Sequence, residues 1–166
     1  MTFQLVYKEA GDRLDGVDIR ENIGFVIVTS INLALDGATT TNQDNLDIDL
    51  FGADTASTKT NLTYDGGTDR YDCDAGQDYC TLISAVNTIT TSETVVVVKA
   101  LITKESGTVV TTSVSFDNGG NWTAVTEKEL AEITNTGTQM LIKWYFDRTA
   151  NNTGTDYIEG YGAYYG

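Results

Sequence analysis

The chain has 166 residues and a formal net charge of −14, from 24 acidic and 10 basic side chains, with no histidine and no proline. A surface this acidic repels phosphate backbones, which argues against direct nucleic-acid binding. Without histidine no Ser-His-Asp or Cys-His mechanism can be assembled within the chain, and the commonest metal ligand and pH switch are missing.

The length is that of one domain, and a hydrophobic fraction of 40% argues against a disordered chain. Phe3 to Tyr7 reads as a short strand, and Lys8 to Glu21 as a polar loop or arm. The first residues lack a basic segment followed by an apolar core, so no signal peptide is expected. Ile23 to Leu35 is the most apolar run, but Thr29, Ser30 and Asn32 interrupt it and it is too short to cross a bilayer. A soluble protein made in the cytoplasm, with no membrane partner, is the expectation. Gly24 to Leu35 looks β, with Ile31, Leu33 and Leu35 alternating, and Asp36-Gly37 closes the run as a turn.

Leu46 to Leu50 alternates strictly, predicting a half-exposed antiparallel strand with apolar residues inward and Asp47 and Asp49 outward. Leu62 to Tyr64 leads into a Gly- and Asp-rich loop over 65–78, and β character resumes from Tyr79 to Thr90. Thr94 to Ile102 is the most continuous apolar strand and predicts a buried central position. Glu105-Ser106-Gly107 is a turn. Ser115-Phe116-Asp117-Asn118-Gly119-Gly120-Asn121-Trp122 reads as a hairpin. Asn118 and Gly119 tolerate positive φ, Asp117 can accept from backbone N–H groups beyond it, and Trp122 is an apolar anchor. Glu127 to Glu132 is the one stretch that reads as a helical turn. Gln139 to Phe146 is apolar on both alternating faces and predicts an interior strand; Tyr157 to Tyr165 ends the chain. Many short strands with turns every eight to twelve residues imply an all-β fold. We expect an antiparallel, jelly-roll-like β-sandwich over 46–166, with 1–45 as an irregular N-terminal arm, added edge or docking segment.

The sequence carries few candidates for chemistry. Asp72, Asp74 and Asp78 can converge around Gly76 as oxygen ligands, which makes calcium the one cofactor suggested, but the spacing is not that of an EF-hand and an ordinary acidic loop is the plainer reading. Carboxylate pairs are plentiful, yet no motif marks a glycosidase. Trp144, Tyr145, Phe146, Tyr157, Tyr161, Tyr164 and Tyr165 form a C-terminal aromatic cluster, read either as core plus subunit interface or as a glycan-stacking face, the latter foremost through Trp144, Tyr157, Tyr161, Tyr164 and Tyr165. Cys73 and Cys80 are close enough to close a small disulfide loop, and free thiols are equally compatible with the pattern. Asn61, Asn121 and Asn151 or Asn152 stand in or beside glycosylation-acceptor patterns that a Thr-rich chain produces by chance.

The Ser115, Asp117, Gly119 and Trp122 pattern resembles the Asp-box hairpin of sialidases and other β proteins, a structural device rather than a catalytic one. The order of segments from residue 61 onward also resembles β-sandwich domains in virion proteins of tailed bacteriophages. It runs from Asn61–Asp65 through Cys80–Ser84, a Val-rich strand and the Ser115–Trp122 hairpin to Gly137–Trp144 and Ile158–Tyr165. That resemblance covers about the last two thirds of the chain and carries no catalytic residues. It implies a non-enzymatic virion protein, foremost a capsid decoration or cement subunit bridging major capsid proteins. It further implies a homo-oligomer, such as a trimer, located in the virion. The alternative it implies is a tail or fibre component binding a host glycan.

Overall fold

In the computed structural model of the protein, residues 45–90, 93–153 and 155–166 are described. They form two six-stranded sheets packed face to face, with every ladder antiparallel, so the expected β-sandwich is the fold. The strands are β1 (Asn45–Asp49), β2 (Thr58–Thr60), β3 (Leu62–Asp65), β4 (Arg70–Cys73), β5 (Tyr79–Ile83) and β6 (Asn87–Thr88). They continue with β7 (Val95–Thr103), β8 (Val109–Ser115), β9 (Thr123–Val125), β10 (Ala131–Glu132), β11 (Gln139–Asp147) and β12 (Tyr157–Tyr165). The first sheet has the order β10-β7-β12-β4-β3, with β1 also on β12; the second has β2-β5-β11-β8-β9, with β6 also on β11. The segments assigned before residue 45 lie outside the described residues.

Alternation explains the core. Trp144, Phe146, Ile142 and Met140 of β11 point inward, and Tyr161, Ala163 and Tyr165 of β12 meet them from the opposite sheet. The Trp144 and Tyr161 rings stand 5.0 Å apart at 46°, so the two long central strands meet through their largest side chains. As the sequence predicts, β11 is interior, flanked by β5 and β8. The β7 strand is less central than its apolar run suggests. It lies between β12 and the two-residue β10, and its Val95–Val98 run is apolar on both faces because Val96 and Val98 face the core while Val97 is buried on the outer side.

Two expectations are corrected. Glu127 to Glu132 is not helical. Lys128 takes a left-handed φ of 68°, which breaks a helix, its N–H donates to the Val98 carbonyl, and Ala131–Glu132 pair with β7. In β1 the alternation is right but its sense is inverted. Asp49 sits opposite Tyr161 and Asp47 opposite Ala163, both core-facing positions, while Ile48 sits opposite Gly162 and Leu50 packs with Tyr164, Leu101 and Val97 on the outer side. The inward carboxylates are accommodated by hydrogen bonds. Tyr161 Oη donates to Asp47 (3.0 Å), and Phe51 N–H and Thr55 Oγ1 donate to Asp49 (2.8 and 3.0 Å).

One end of the sandwich is tied by a buried ion pair. Arg148 follows β11 and Asp156 precedes β12; both are fully buried, with Nε 2.6 Å from Oδ2. Asp156 also accepts from Glu105 N–H (2.6 Å) and Thr108 Oγ1 (3.1 Å), in the turn that carries the chain from β7 to β8. Arg148 Nη1 donates to the Asp74 and Gln77 carbonyls (2.8 and 3.4 Å), in the loop from β4 to β5. Three crossings between the sheets thus converge on one pair of side chains.

Candidate functional site on the outer face of the second sheet

The hairpin at 115–122 builds one corner of this face. Ser115 Oγ donates to Asp117 Oδ1 (2.7 Å) and accepts from Gly119 N–H (2.8 Å). Asp117 in turn accepts from the backbone N–H and the side-chain amide of Asn121 (2.8 and 2.7 Å). Those bonds, the Asn121 amide first and then the Ser115 hydroxyl and Asn121 N–H, hold the Asp117 carboxyl down at about 2. Asn118 and Gly119 take φ of 58° and 83°, the positive values expected of them. The turn carries Trp122 back over the sheet, beside Leu141 and Gly119, and Lys143 Nζ sits 4.2 Å from the Trp122 ring centroid. All four predicted hairpin residues act together, as a structural device.

Further along β11, Tyr145 points outward from between the inward-facing Trp144 and Phe146. Its ring lies 6.0 Å from that of Tyr79, at an interplanar angle of 19°, and the two are 39% and 44% exposed. Tyr145 pairs with Thr81 and Thr111 across the neighbouring strands, so the rings rise from a threonine-lined surface. The sequence placed Tyr145 in the C-terminal aromatic cluster but did not point to Tyr79 as its partner. The strict alternation from Met140 to Phe146 marks Tyr145 as outward, but its meeting with Tyr79 depends on the β5–β11 register.

The rest of the aromatic cluster divides between the core and the outer side of the first sheet. Trp144, Tyr161 and Tyr165 are in the core. Tyr157 lies on the outer side of the first sheet, under the Arg70 guanidinium at 4.2 Å, and Tyr164 covers Val97 elsewhere on that side. The physical reason is the alternation of β12, which sends odd and even positions after its irregularity at 158–160 to opposite faces.

The acidic loop does not gather its carboxylates either. Asp72 pairs with Arg70 (3.0 Å), Asp74 accepts from Thr63 Oγ1 (2.8 Å), and Asp78 accepts from the Asn152 amide (2.8 Å). Among the described residues no group of three acidic or cysteine side chains is placed to share a metal ion. Cys73 and Cys80 are both buried as free thiols.

An open groove of about 480 Å³ lies between β7 and the β8–β9 hairpin, lined in part by Lys99, Lys104, Val110 and Glu127. Its cations are engaged: Lys99 with Glu127 (3.1 Å) and Lys104 with the Thr108 carbonyl (2.9 Å). Among the described residues no helix is long and apolar enough to cross a membrane. No family model and no curated protein matches the sequence.

Proposed function

We propose that the chain is a non-enzymatic structural protein of a tailed-phage virion, acting as a decoration or cement subunit that stabilises the particle by contacts with neighbouring shell proteins and copies of itself. The observation that carries this reading is where the phage-like segments fall. Gly137–Trp144 and Ile158–Tyr165 supply β11 and β12, the central strands of the two sheets, and the Asp-box-like hairpin packs directly on β11. The resemblance therefore involves the framework of the fold and not a peripheral loop. The buried charges support the same reading, since Arg148 and Asp156 are committed to structural partners. The mechanism is burial of apolar and aromatic surface between subunits, with residues 1–20 contributing the docking arm. Mass spectrometry of gradient-purified particles tests it: the chain is expected as a stoichiometric component, and deletion of residues 1–20 is expected to abolish incorporation while the sandwich stays folded. Absence from purified particles refutes the reading, and undiminished incorporation of the truncated chain refutes the arm.

A second reading, attachment to a host glycan, is favoured by one observation: the exposed Tyr79–Tyr145 pair on the same sheet face as Trp122. Sugar rings present C–H faces that stack on such side chains. Here Tyr145→Ala is expected to abolish retention on host-surface polysaccharide without altering the melting temperature. Equal retention of the variant rejects the reading.

A further inference from the structure

Cys73 and Cys80 belong to different sheets. Cys73 closes β4 in the first and Cys80 lies in β5 of the second, with the 74–78 loop between them. Cys80 is fully buried and Cys73 is 8% exposed, and both sit in the main core cluster. They are nonetheless near enough to act on each other electrostatically, and both converge on the Arg148–Asp156 pair: Cys73 N–H donates to the Asp156 carbonyl (2.9 Å). Arg148 Nη1 lies 3.8 Å from the Cys80 sulfur. Thiols that serve only as small apolar core residues need neither a sulfur partner nor a guanidinium beside them.

We propose that Cys73 and Cys80 form an oxidisable dithiol that closes to a disulfide between the two sheets on meeting hydrogen peroxide. Proximity is the first requirement, and two buried thiols gathered around one ion pair meet it. Asymmetry is the second. The interaction with Cys73, and then the Arg148 guanidinium whose Nη1 lies 3.8 Å from it, favour the Cys80 thiolate, while the interaction with Cys80 and burial hold Cys73 in its protonated form. Cys80 is therefore the attacking sulfur and Cys73 the resolving one. Burial selects the oxidant, because a small uncharged peroxide reaches a covered sulfur that a bulky disulfide does not.

The chemistry balances in two steps. The Cys80 thiolate attacks one peroxide oxygen, the O–O bond breaks, and the sulfur becomes a sulfenic acid. The hydroxide that leaves takes up the proton released by the Cys80 thiol and departs as water. The Cys73 sulfur then attacks the Cys80 sulfur, the S–O bond breaks, and the Cys73 proton leaves with that oxygen as a second water. Two thiols and one peroxide give one disulfide and two waters. The new bond fastens the sheets beside the Arg148–Asp156 pair and does not depend on the virion reading.

The test is to expose the folded, reduced protein to stoichiometric hydrogen peroxide, block residual thiols, and map non-reduced peptides. A Cys73–Cys80 cross-link with loss of two hydrogens is expected. So is a melting temperature higher by about 5–10 °C, as closure of a short loop in a chain of this size gives, reversed by dithiothreitol. Cys73→Ser is expected to stop at a Cys80 sulfenic acid that dimedone traps, and Cys80→Ser to leave Cys73 unmodified. Thiols that stay reduced in the folded protein, or a sulfinic acid formed without a cross-link, overturn the proposal. A cross-link that leaves the melting temperature unchanged overturns its role as a fastening between sheets. The wild-type peptide map decides the matter even if neither serine variant folds.

Discussion

Replacing Arg148 by methionine keeps most of the side-chain volume and removes the charge. The Asp156 carboxylate is then left fully buried, holding Glu105 N–H and Thr108 Oγ1 but no cation. Breaking one side of a buried pair costs about 3–5 kcal/mol, because the remaining charge keeps its desolvation penalty. The Asp74 and Gln77 carbonyls also lose their donor, but their loop is largely exposed and water replaces it. For a chain of this size, 3–5 kcal/mol corresponds to a fall in melting temperature of roughly 6–20 °C. Urea unfolding followed by fluorescence of the buried Trp144, with circular dichroism as a second probe, measures it. Adding Asp156→Asn to Arg148→Met keeps an acceptor for Glu105 N–H while removing the orphaned charge. The double variant is expected to recover on the order of 2 kcal/mol relative to additivity. A loss below about 1 kcal/mol, the value of an exposed pair, or strict additivity in the cycle, refutes the keystone role of this pair.

Three further outcomes follow from the same geometry. Asp117 titrates lower in the folded state than the usual carboxylate value near 3.9, so its stabilisation is present above that value and lost as pH falls toward about 2; Asp117→Ala should remove that component of the acid-unfolding curve, and an unchanged curve contradicts the assignment. Asp47 is shifted the other way, raised by burial and, after the opposing Tyr161 hydrogen bond, by the neighbouring Asp49 charge. The fold favours its protonated form more than the unfolded chain does, so stability falls as pH rises through its raised folded value, and Asp47→Asn should raise the urea midpoint at pH 7 while keeping an acceptor for Tyr161. A lower midpoint counts against the inward placement of β1. At Gly137 an added Cβ would stand 2.4 Å from the Phe116 carbonyl oxygen and 3.0 Å from Asp117 Cα, both backbone atoms that cannot swing aside. Gly137→Ala should therefore cost at least the upper end of the ~1–3 kcal/mol typical of overpacking and loosen the hairpin, seen as faster amide exchange at Gly119 and Asn121.

The sequence made the sandwich legible because strand formers and turn residues alternate on short spacings, and no helix competes among the described residues. The hairpin was legible for a stronger reason: every side-chain bond that shapes its turn joins residues within four positions. What required the structure is non-local. The direction of β1 depends on which face of β12 it meets, and alternation alone fits either choice. The aromatic cluster was overcounted as one face because its rings come from two sheets and from both sides of β12. Arg148 and Asp156 showed no motif, since their partners lie as far away as Asp74 and Glu105. Glu127–Glu132 misled because its composition favours helix, and pairing with β7 overrode it.

The convergence of three crossings on Arg148 and Asp156 also bears on the order of assembly. The Arg148–Asp156 contact itself spans only eight residues, but segments near 74–80 and 105–108 must arrive before the remaining bonds of the two side chains are made, so a partial sandwich gains only part of the pair's stabilisation. Loop closures of that span are slow and are rewarded only at the end. The pair thus acts as a checkpoint on folding: until both sheets are in place, burying the ion pair leaves its remaining donors and acceptors without partners, and once those bonds form, the closed end resists piecemeal opening.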